Sequence, residues 1–207
     1  MSMSITEDMI SKSGDEHLLR LAEPFEKGSG AALWMLLLLR LTSVATDQRL
    51  ELRNSAIQTL MRIMSAYGES LSPEAWSVCM RAVIFRLFPS VERELSDTDE
   101  PSTRDKSHDE WQDTATVVIQ GVSDLFCSYL NLLTAHKSFP DIWHSLIGTF
   151  RTLLGFRVLD INAATYSALR DILHRSAEQR TSGIGKESLD LAWEMWFVKY
   201  AAHIIYI

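Results

Sequence analysis

Asp47–Phe88 reads DQRLELRNSAIQTLMRIMSAYGESLSPEAWSVCMRAVIFRLF, two helices joined by a tight turn, and the rest of the chain repeats or extends this unit. In the first helix Ala56, Ile57, Leu60, Ile63, Met64 and Tyr67 fall on one stripe at a 3.6-residue period. Glu51, Asn54, Gln58, Arg62 and Ser65 take the other side. That pattern predicts an amphipathic helix lying on a core. Asp47 is placed to cap it, and Gly68 to end it by entering the left-handed conformation that a residue without Cβ adopts freely. Ser72-Pro73 restarts the chain, since serine accepts from free N–H groups and proline at the first helical position gives up a donor that has no partner. The next helix is expected to stop at Pro89. From Trp76 to Phe88 its apolar residues nearly encircle the axis, so it should be buried between neighbours on two sides.

Outward from this unit, the same grammar recurs. Residues 1–28 form a polar lead-in that predicts no regular structure, and LWMLLLLRL (33–41) is too continuously apolar for a surface helix. Ser90–Glu110 is rich in Asp, Glu, Ser and Thr, and reads as a solvated acidic loop inserted at about 92–108, irregular at least from Ser96 to Ser107. A long helix follows from Asp109 to about His136. Its seam of Trp111, Ala115, Val118, Val122, Leu125, Tyr129 and Leu132 would suit a coiled coil, but flanking Val117, Ile119, Phe126, Leu130 and Leu133 widen the stripe and favour a helical array. After the KSFP turn come a helix through Phe139, Trp143, Ile147 and Phe150, and a second one from Asp160. The second carries Ser167-Ala168-Leu169, an echo of Ser55-Ala56-Ile57. The TSGIGK loop leads to a last apolar helix, LDLAWEMWFVKYAAHIIYI.

Repeated helical hairpins with short turns and weak internal similarity predict an all-α fold, a HEAT/armadillo-like α-solenoid of antiparallel hairpins over residues 29–207 with seven or eight helices. A compact helical bundle is the alternative. Leu36, Ala56, Leu60, Met64, Trp76, Val83, Val118, Leu125, Trp143, Ile147, Phe150, Ala168 and Ile172 are expected in the core.

At 207 residues and 46% hydrophobic, the chain is long enough to bury a substantial core. A net charge of −7, with no basic run, argues against nucleic acid as a partner. The longest unbroken apolar run, Ala31 to Leu39, is too short to span a bilayer, which leaves membrane contact peripheral. Cys79 and Cys127 have no metal or redox spacing and read as reduced, buried thiols. The six histidines are scattered. Asp141 and His144 share a helical face, but one carboxylate and one imidazole make half a metal site, and a surface hydrogen bond is the plainer reading. Gly183-Ile184-Gly185-Lys186 fails as a phosphate loop, because Arg180 stands where glycine is needed and Glu187 where Ser or Thr is needed. No nucleophile has a patterned base. The reading is therefore of a non-enzyme with no catalytic, cofactor or metal residues. Trp193, Trp196, Phe197 and Tyr200 on the last helix are nominated as a partner-facing or self-association surface.

The acidic turn at Asp47, the Leu52-Arg53 pair, the small residue after it, and Tyr67-Gly68 before Trp76 together resemble the repeats of the large ARF-GTPase exchange factors of the Golgi and of their relative, the Mon-two family. SFPDIWHSLIGTF, then Val158-Leu159-Asp160-Ile161-Asn162 and SALRDIL, look like the Mon-two family, and the resemblance covers residues 31–176. It implies an internal piece of a larger HEAT-like scaffold without an exchange domain. It further implies peripheral binding at the cytoplasmic face of Golgi and endosomal membranes, and a role in endosome-to-Golgi traffic. The implied partners are a Dopey-type protein, a phospholipid flippase and a small ARF-like GTPase. A regulatory segment of an active ARF exchange factor is the alternative, and a helical enzyme the reading from another class.

The stripe on the first quoted helix makes a direct test. Leu60→Ala should destabilise the protein by about 2–5 kcal/mol in chemical denaturation, whereas a change below about 0.5 kcal/mol would place that face in solvent.

Overall fold

The structure, a computed structural model, describes residues 30–96, 104–178 and 184–204, with side chains over 33–96, 108–178 and 184–197. The polar lead-in and the centre of the acidic segment lie outside the described residues. Within them are eight α-helices and no strand: α1 (Gly30–Val44), α2 (Leu50–Tyr67), α3 (Pro73–Cys79), α4 (Phe88–Ser96), α5 (Arg104–Thr134), α6 (Phe139–Gly155), α7 (Leu159–Glu178) and α8 (Lys186–Ile204).

The helices form two layers. α1, the α3–α4 rod, α6 and α8 stack along one layer, and α2, α5 and α7 along the other. Each hairpin packs internally and against the next, which is the organisation of an α-solenoid. Helix starts at Gly30 and Pro73 are 43 residues apart, and those at Phe139 and Lys186 are 47 apart. Such spacing is that of HEAT-type units, about 40–47 residues, rather than that of about 34 for tetratricopeptide units. α5 is the hub: α2, the α3–α4 rod and α7 all lie against it. Of its seam residues, Trp111, Ala115, Val118, Val122, Leu125 and Tyr129 are buried and Leu132 is half-buried, and the flanking Ile119, Phe126, Leu130 and Leu133 are buried too. By length and apolarity alone His108–Thr134 would also suit a membrane span, a property that a search for unbroken apolar runs does not register. Packing on three sides accounts for it here.

Twelve of the thirteen expected core residues are buried, and Leu36 is the exception at half-buried. α1 meets α2 and the middle of the α3–α4 rod on one side only, leaving Leu33 67% and Leu37 49% exposed. Tyr67, expected on the α2 stripe, is also exposed, because α2 ends there and its last turn passes the edge of α5.

Three local expectations change. Asp47 does not cap α2 directly: its carboxylate accepts from the Arg49 backbone N–H and Nε, both at 2.9 Å, and fixes the preceding turn. The Arg49 side chain and backbone N–H hold that carboxyl down at about 2, so this lock is present above the ordinary carboxylate range and is lost as pH falls through about 2. Gly68 is not left-handed but helical (φ −60°, ψ −32°). It is glycine because of contact: a Cβ there would meet Tyr129 Cζ at 2.4 Å and Trp76 Cζ2 at 2.6 Å. Pro89 does not stop its helix. The chain passes through a π turn (Met80–Ile84) and a 3₁₀ turn (Phe85–Leu87), so that proline arrives as the second residue of α4, where its missing N–H has no partner to lose. The acidic segment is correspondingly shorter than expected, with helix through Ser96 and again from Arg104. Ser72 caps α3 as expected, accepting from Ala75 N–H at 3.2 Å.

Among the described residues, the interior holds one cation. Arg53 is fully buried, with its guanidinium 3.7 Å from the Trp111 ring centroid. Nε donates to Thr114 Oγ1 at 2.9 Å, and one terminal nitrogen donates to the carbonyls of Asp47 (2.8 Å) and Gln48 (3.0 Å). Burial pushes its pKa down, while Glu110, Glu94 and Asp47 pull it back up; a guanidinium stays charged under such opposing influences.

Two substitutions test these contacts. Arg53→Met should cost about 2–4 kcal/mol, since a buried acceptor left bare costs about 1–3 kcal/mol; a neutral result in urea denaturation would show that the carbonyls find water instead. Helical backbone by itself favours alanine over glycine by about 1 kcal/mol, yet Gly68→Ala should be net destabilising by about 1–3 kcal/mol because two packed rings must move. A gain in stability would mean that the rings yield freely.

Candidate functional site

Reactive groups do not converge within the described residues. His108 bonds Gln112 at 2.7 Å, His174 lies 3.6 Å from Glu178, and no group of three His, Cys, Asp or Glu could hold a metal ion. Asp141 and His144 are both exposed and make no hydrogen bond to each other, so the expected surface bond is absent. Burial pushes the Cys79 thiol up to about 12, and also raises that of half-buried Cys127. Thiolates at either position would be scarce at neutral pH.

The last helix presents the clearest outward apolar surface. Successive residues on a helix are about 100° apart, so the four nominated aromatics, spaced i, i+3, i+4 and i+7, fall on one face of the helix, with Trp196 at its edge nearer the core. Ala192 and Met195 are buried. Half-buried Trp196 sits edge-on to Tyr166 of α7, with centroids 5.3 Å apart. Trp193 and Phe197, further round the same face, are 49% and 64% exposed, with rings 5.9 Å apart at 36°. Tyr200 falls within α8, but its side chain lies outside those described. The nominated set thus divides into an exposed pair and a residue that fastens α8 to α7. The exposed leucines of α1 form a second outward patch that the sequence reading assigned to the interior; nine apolar residues in a row leave at least one face for a single neighbour not to cover.

A groove of about 650 Å³ opens where the end of α5 meets the first turns of α6 and α8. Its floor is aromatic. Trp143 is fully buried, its indole N–H donates to the Ser188 carbonyl at 2.6 Å, and Phe139 stacks on it at 6.0 Å. His136, Lys137, His144, Lys186 and Glu187 supply the charged and titratable lining. One wall is braced by a hydrogen-bond chain: Arg81 donates to Ser77 Oγ (2.6 Å), Ser77 and Ser138 share a bond at 2.7 Å, and Ser138 bonds His136 Nδ1 at 2.6 Å. The Ser138 backbone N–H also donates to Nδ1, at 3.2 Å, which leaves the imidazole proton on Nε2. Sequence reasoning discarded Gly185-Lys186 as a phosphate loop and passed over Lys137. No local spacing links the two lysines; only the packing of α6 against α8 does.

The comparisons with known proteins follow the same line as the fold. The chain is 24% identical over 185 residues to the Protein MON2 homolog of Drosophila melanogaster (79% of this chain, 11% of that protein). It is 24% identical over 173 residues to the human Protein MON2 homolog (78% and 10%). Against Brefeldin A-inhibited guanine nucleotide-exchange protein 3 of Arabidopsis thaliana it is 26% identical over 158 residues (71% and 9%). The chain therefore spans about a tenth of the length of the curated relatives it matches. No solved structure matches it. The family model described as "GBF1-like, tetratrico peptide repeat region" matches residues 34–174, more than half of the chain, and this chain belongs to that family of GBF1-like repeat regions.

Proposed function

We propose that this chain is a non-catalytic scaffold segment that mediates protein–protein interactions in endosome-to-Golgi vesicular trafficking. The observation that carries the reading is a family match over 34–174 laid on an α-solenoid that keeps large apolar side chains, Trp193 and Phe197, in solvent. A folded chain leaves such aromatics outside at a cost in apolar hydration, and patches of them mark contact surfaces. In the whole protein the segment works at the cytoplasmic face of Golgi and endosomal membranes, with peripheral membrane contact and with a Dopey-type protein, a phospholipid flippase and a small ARF-like GTPase as partners. A second reading, a regulatory repeat segment of an ARF exchange factor, is favoured by the similarity to the Arabidopsis exchange protein.

Deleting residues 30–204 from the full-length protein in cells separates these readings. The scaffold reading expects loss of endosome-to-Golgi cargo retrieval with nucleotide exchange on ARF-type GTPases unchanged; a loss of exchange would favour the second, and unaffected retrieval and exchange would sink both. For the aromatic pair, self-association through α8 is the simplest partner. The wild-type chain should sediment above monomer mass at high concentration, and a Trp193→Glu, Phe197→Glu variant should sediment as a folded monomer. Monomeric behaviour in both would remove self-association and leave a different protein, or a following helical pair in a longer chain, as the occupant.

A further inference from the structure

We propose that the groove between the α5–α6 turn and the start of α8 docks an acidic peptide segment of a partner protein, one that carries an aliphatic or aromatic anchor residue. The proposal rests on the reading of this chain as an interaction scaffold and names the partner chemistry of a site apart from the Trp193–Phe197 pair. Leu191 faces the groove, and Trp193, two residues on, is turned by about 200° around the helix axis, so the two surfaces lie on opposite sides of α8.

Three features select that occupant. The floor is apolar and rigid: Trp143 is held by its bond to the Ser188 carbonyl and packed between Phe139 and the edge of Phe126, at 6.0 and 6.3 Å, with Pro140 and Leu191 beside it. At about 650 Å³ the groove falls within the usual range for ligand sites, roughly 300–1,000 Å³. It has room for an anchor side chain and its neighbours.

The rim is cationic in a protein of net charge −7. Lys137 and Lys186 are exposed, and neither has a carboxylate within ion-pair distance among the described residues. Elsewhere Arg49, Arg93, Arg170 and Arg175 engage Asp47, Glu94, Asp171 and Glu178, while exposed Arg62, Arg86 and Arg157, like the two lysines, have no carboxylate within ion-pair distance among the described residues; what marks the rim is that its two lysines converge on one concavity. Two unengaged ammonium groups facing one concavity offer complementarity to carboxylates, which sets encounter rate and partner choice. His144 adds two ring nitrogens at the same rim, and the first turns of α6 and α8 lend their positive dipole ends.

The third feature separates a carboxylate-bearing peptide from a phosphorylated lipid headgroup. Glu187 sits in the lining, no arginine lines the groove among the described residues, and buried aromatic rings back its apolar wall. A multivalent phosphate would meet Glu187 and leave the apolar lining at Pro140 and Leu191 uncovered, whereas a peptide can place single carboxylates at Lys137 and Lys186 and an apolar side chain against Pro140 and Leu191, which buried Trp143 backs.

Fluorescence anisotropy with the purified chain tests this. The probes are a fluorescein-labelled peptide rich in Asp and Glu around one Leu or Trp, the same peptide with lysines replacing the acids, and phosphatidylserine-containing vesicles. The acidic peptide should bind, weaken by about tenfold or more in a Lys137→Glu, Lys186→Glu variant, lose affinity as salt is raised, and bind unchanged to the Trp193→Glu, Phe197→Glu variant. Circular dichroism and a denaturation curve establish that each variant is folded. Absence of acidic-peptide binding, equal binding to the charge-reversed variant, or a charge-dependent preference for the vesicles would each overturn the proposal. Such a failure, with cargo retrieval still dependent on the segment, would leave the scaffold reading standing and remove this site alone.

Discussion

A guanidinium with no carboxylate within ion-pair distance among the described residues joins the first two hairpins. Arg53 rises from α2, reaches back to the Asp47 and Gln48 carbonyls that close the α1–α2 turn, and meets Thr114, Trp111 and the Glu110 carbonyl (3.4 Å) of α5. Desolvating a charge is costly unless its donors are satisfied. Here the fork does so with neutral acceptors and an aromatic face. Thr114 passes its own proton on to Asn54 Oδ1 or the Glu110 carbonyl, at 2.9 and 3.0 Å. The Trp111 indole N–H has no hydrogen-bond acceptor among the described residues, a cost of about 1–3 kcal/mol. A desolvated cation–π contact returns about 2 kcal/mol, so ring orientation toward the cation offsets most of that loss. Because the acceptors come from a turn and from two helices, the arrangement fixes the turn, the α2–α5 crossing and the register between hairpins together.

Around this anchor the helices approach closely where side chains are smallest. A Cβ at Gly121 of α5 would meet Met61 Cγ of α2 at 2.8 Å, and Ser123 on the opposite flank reaches the Ala168 carbonyl of α7 at 3.5 Å. Ala56 and Ala168 are both buried, and they occupy matching places on the two helices that flank α5. At the far end of α2 the Tyr129 hydroxyl donates to the Ser65 carbonyl at 2.6 Å, its ring lies 4.6 Å from that of Trp76, and the Trp76 N–H closes on the Gly68 carbonyl at 2.9 Å. Tyr129 leaves helical angles to do so (φ −117°, ψ 19°), which kinks α5.

Period and punctuation made the helices legible, because burial on one side of a helix writes a 3.6-residue stripe and because Ser72-Pro73 has one sensible reading. Tertiary contact was less visible. Gly68 announces a break in sequence, but whether it serves backbone freedom or ring clearance depends on Tyr129, sixty-one residues away. Arg53 sits beside Leu52 like any polar residue of an amphipathic helix, and its burial is decided by Trp111 and Thr114. Pro89 reads as a stop, and is passed because a π turn and a 3₁₀ turn reset the helical phase ahead of it. For the candidate surfaces, an aromatic cluster on α8 was apparent, but which rings face out needed the position of Tyr166. The groove was invisible, since its two lysines become neighbours only through packing.

The same distinction bears on what family resemblance can carry. Of the shared pattern, Leu52 and Tyr67 are exposed, while Arg53, Ala56, Gly68 and Trp76 are buried in or bonded to the α2–α3–α5 junction. They record how hairpins stack. Those four cannot touch another protein, so a relative could keep every one of them and bind something different. Leu33, Leu37, Lys137, Lys186, Trp193 and Phe197 lie outside that junction, where the side chain costs the fold little and meets whatever approaches.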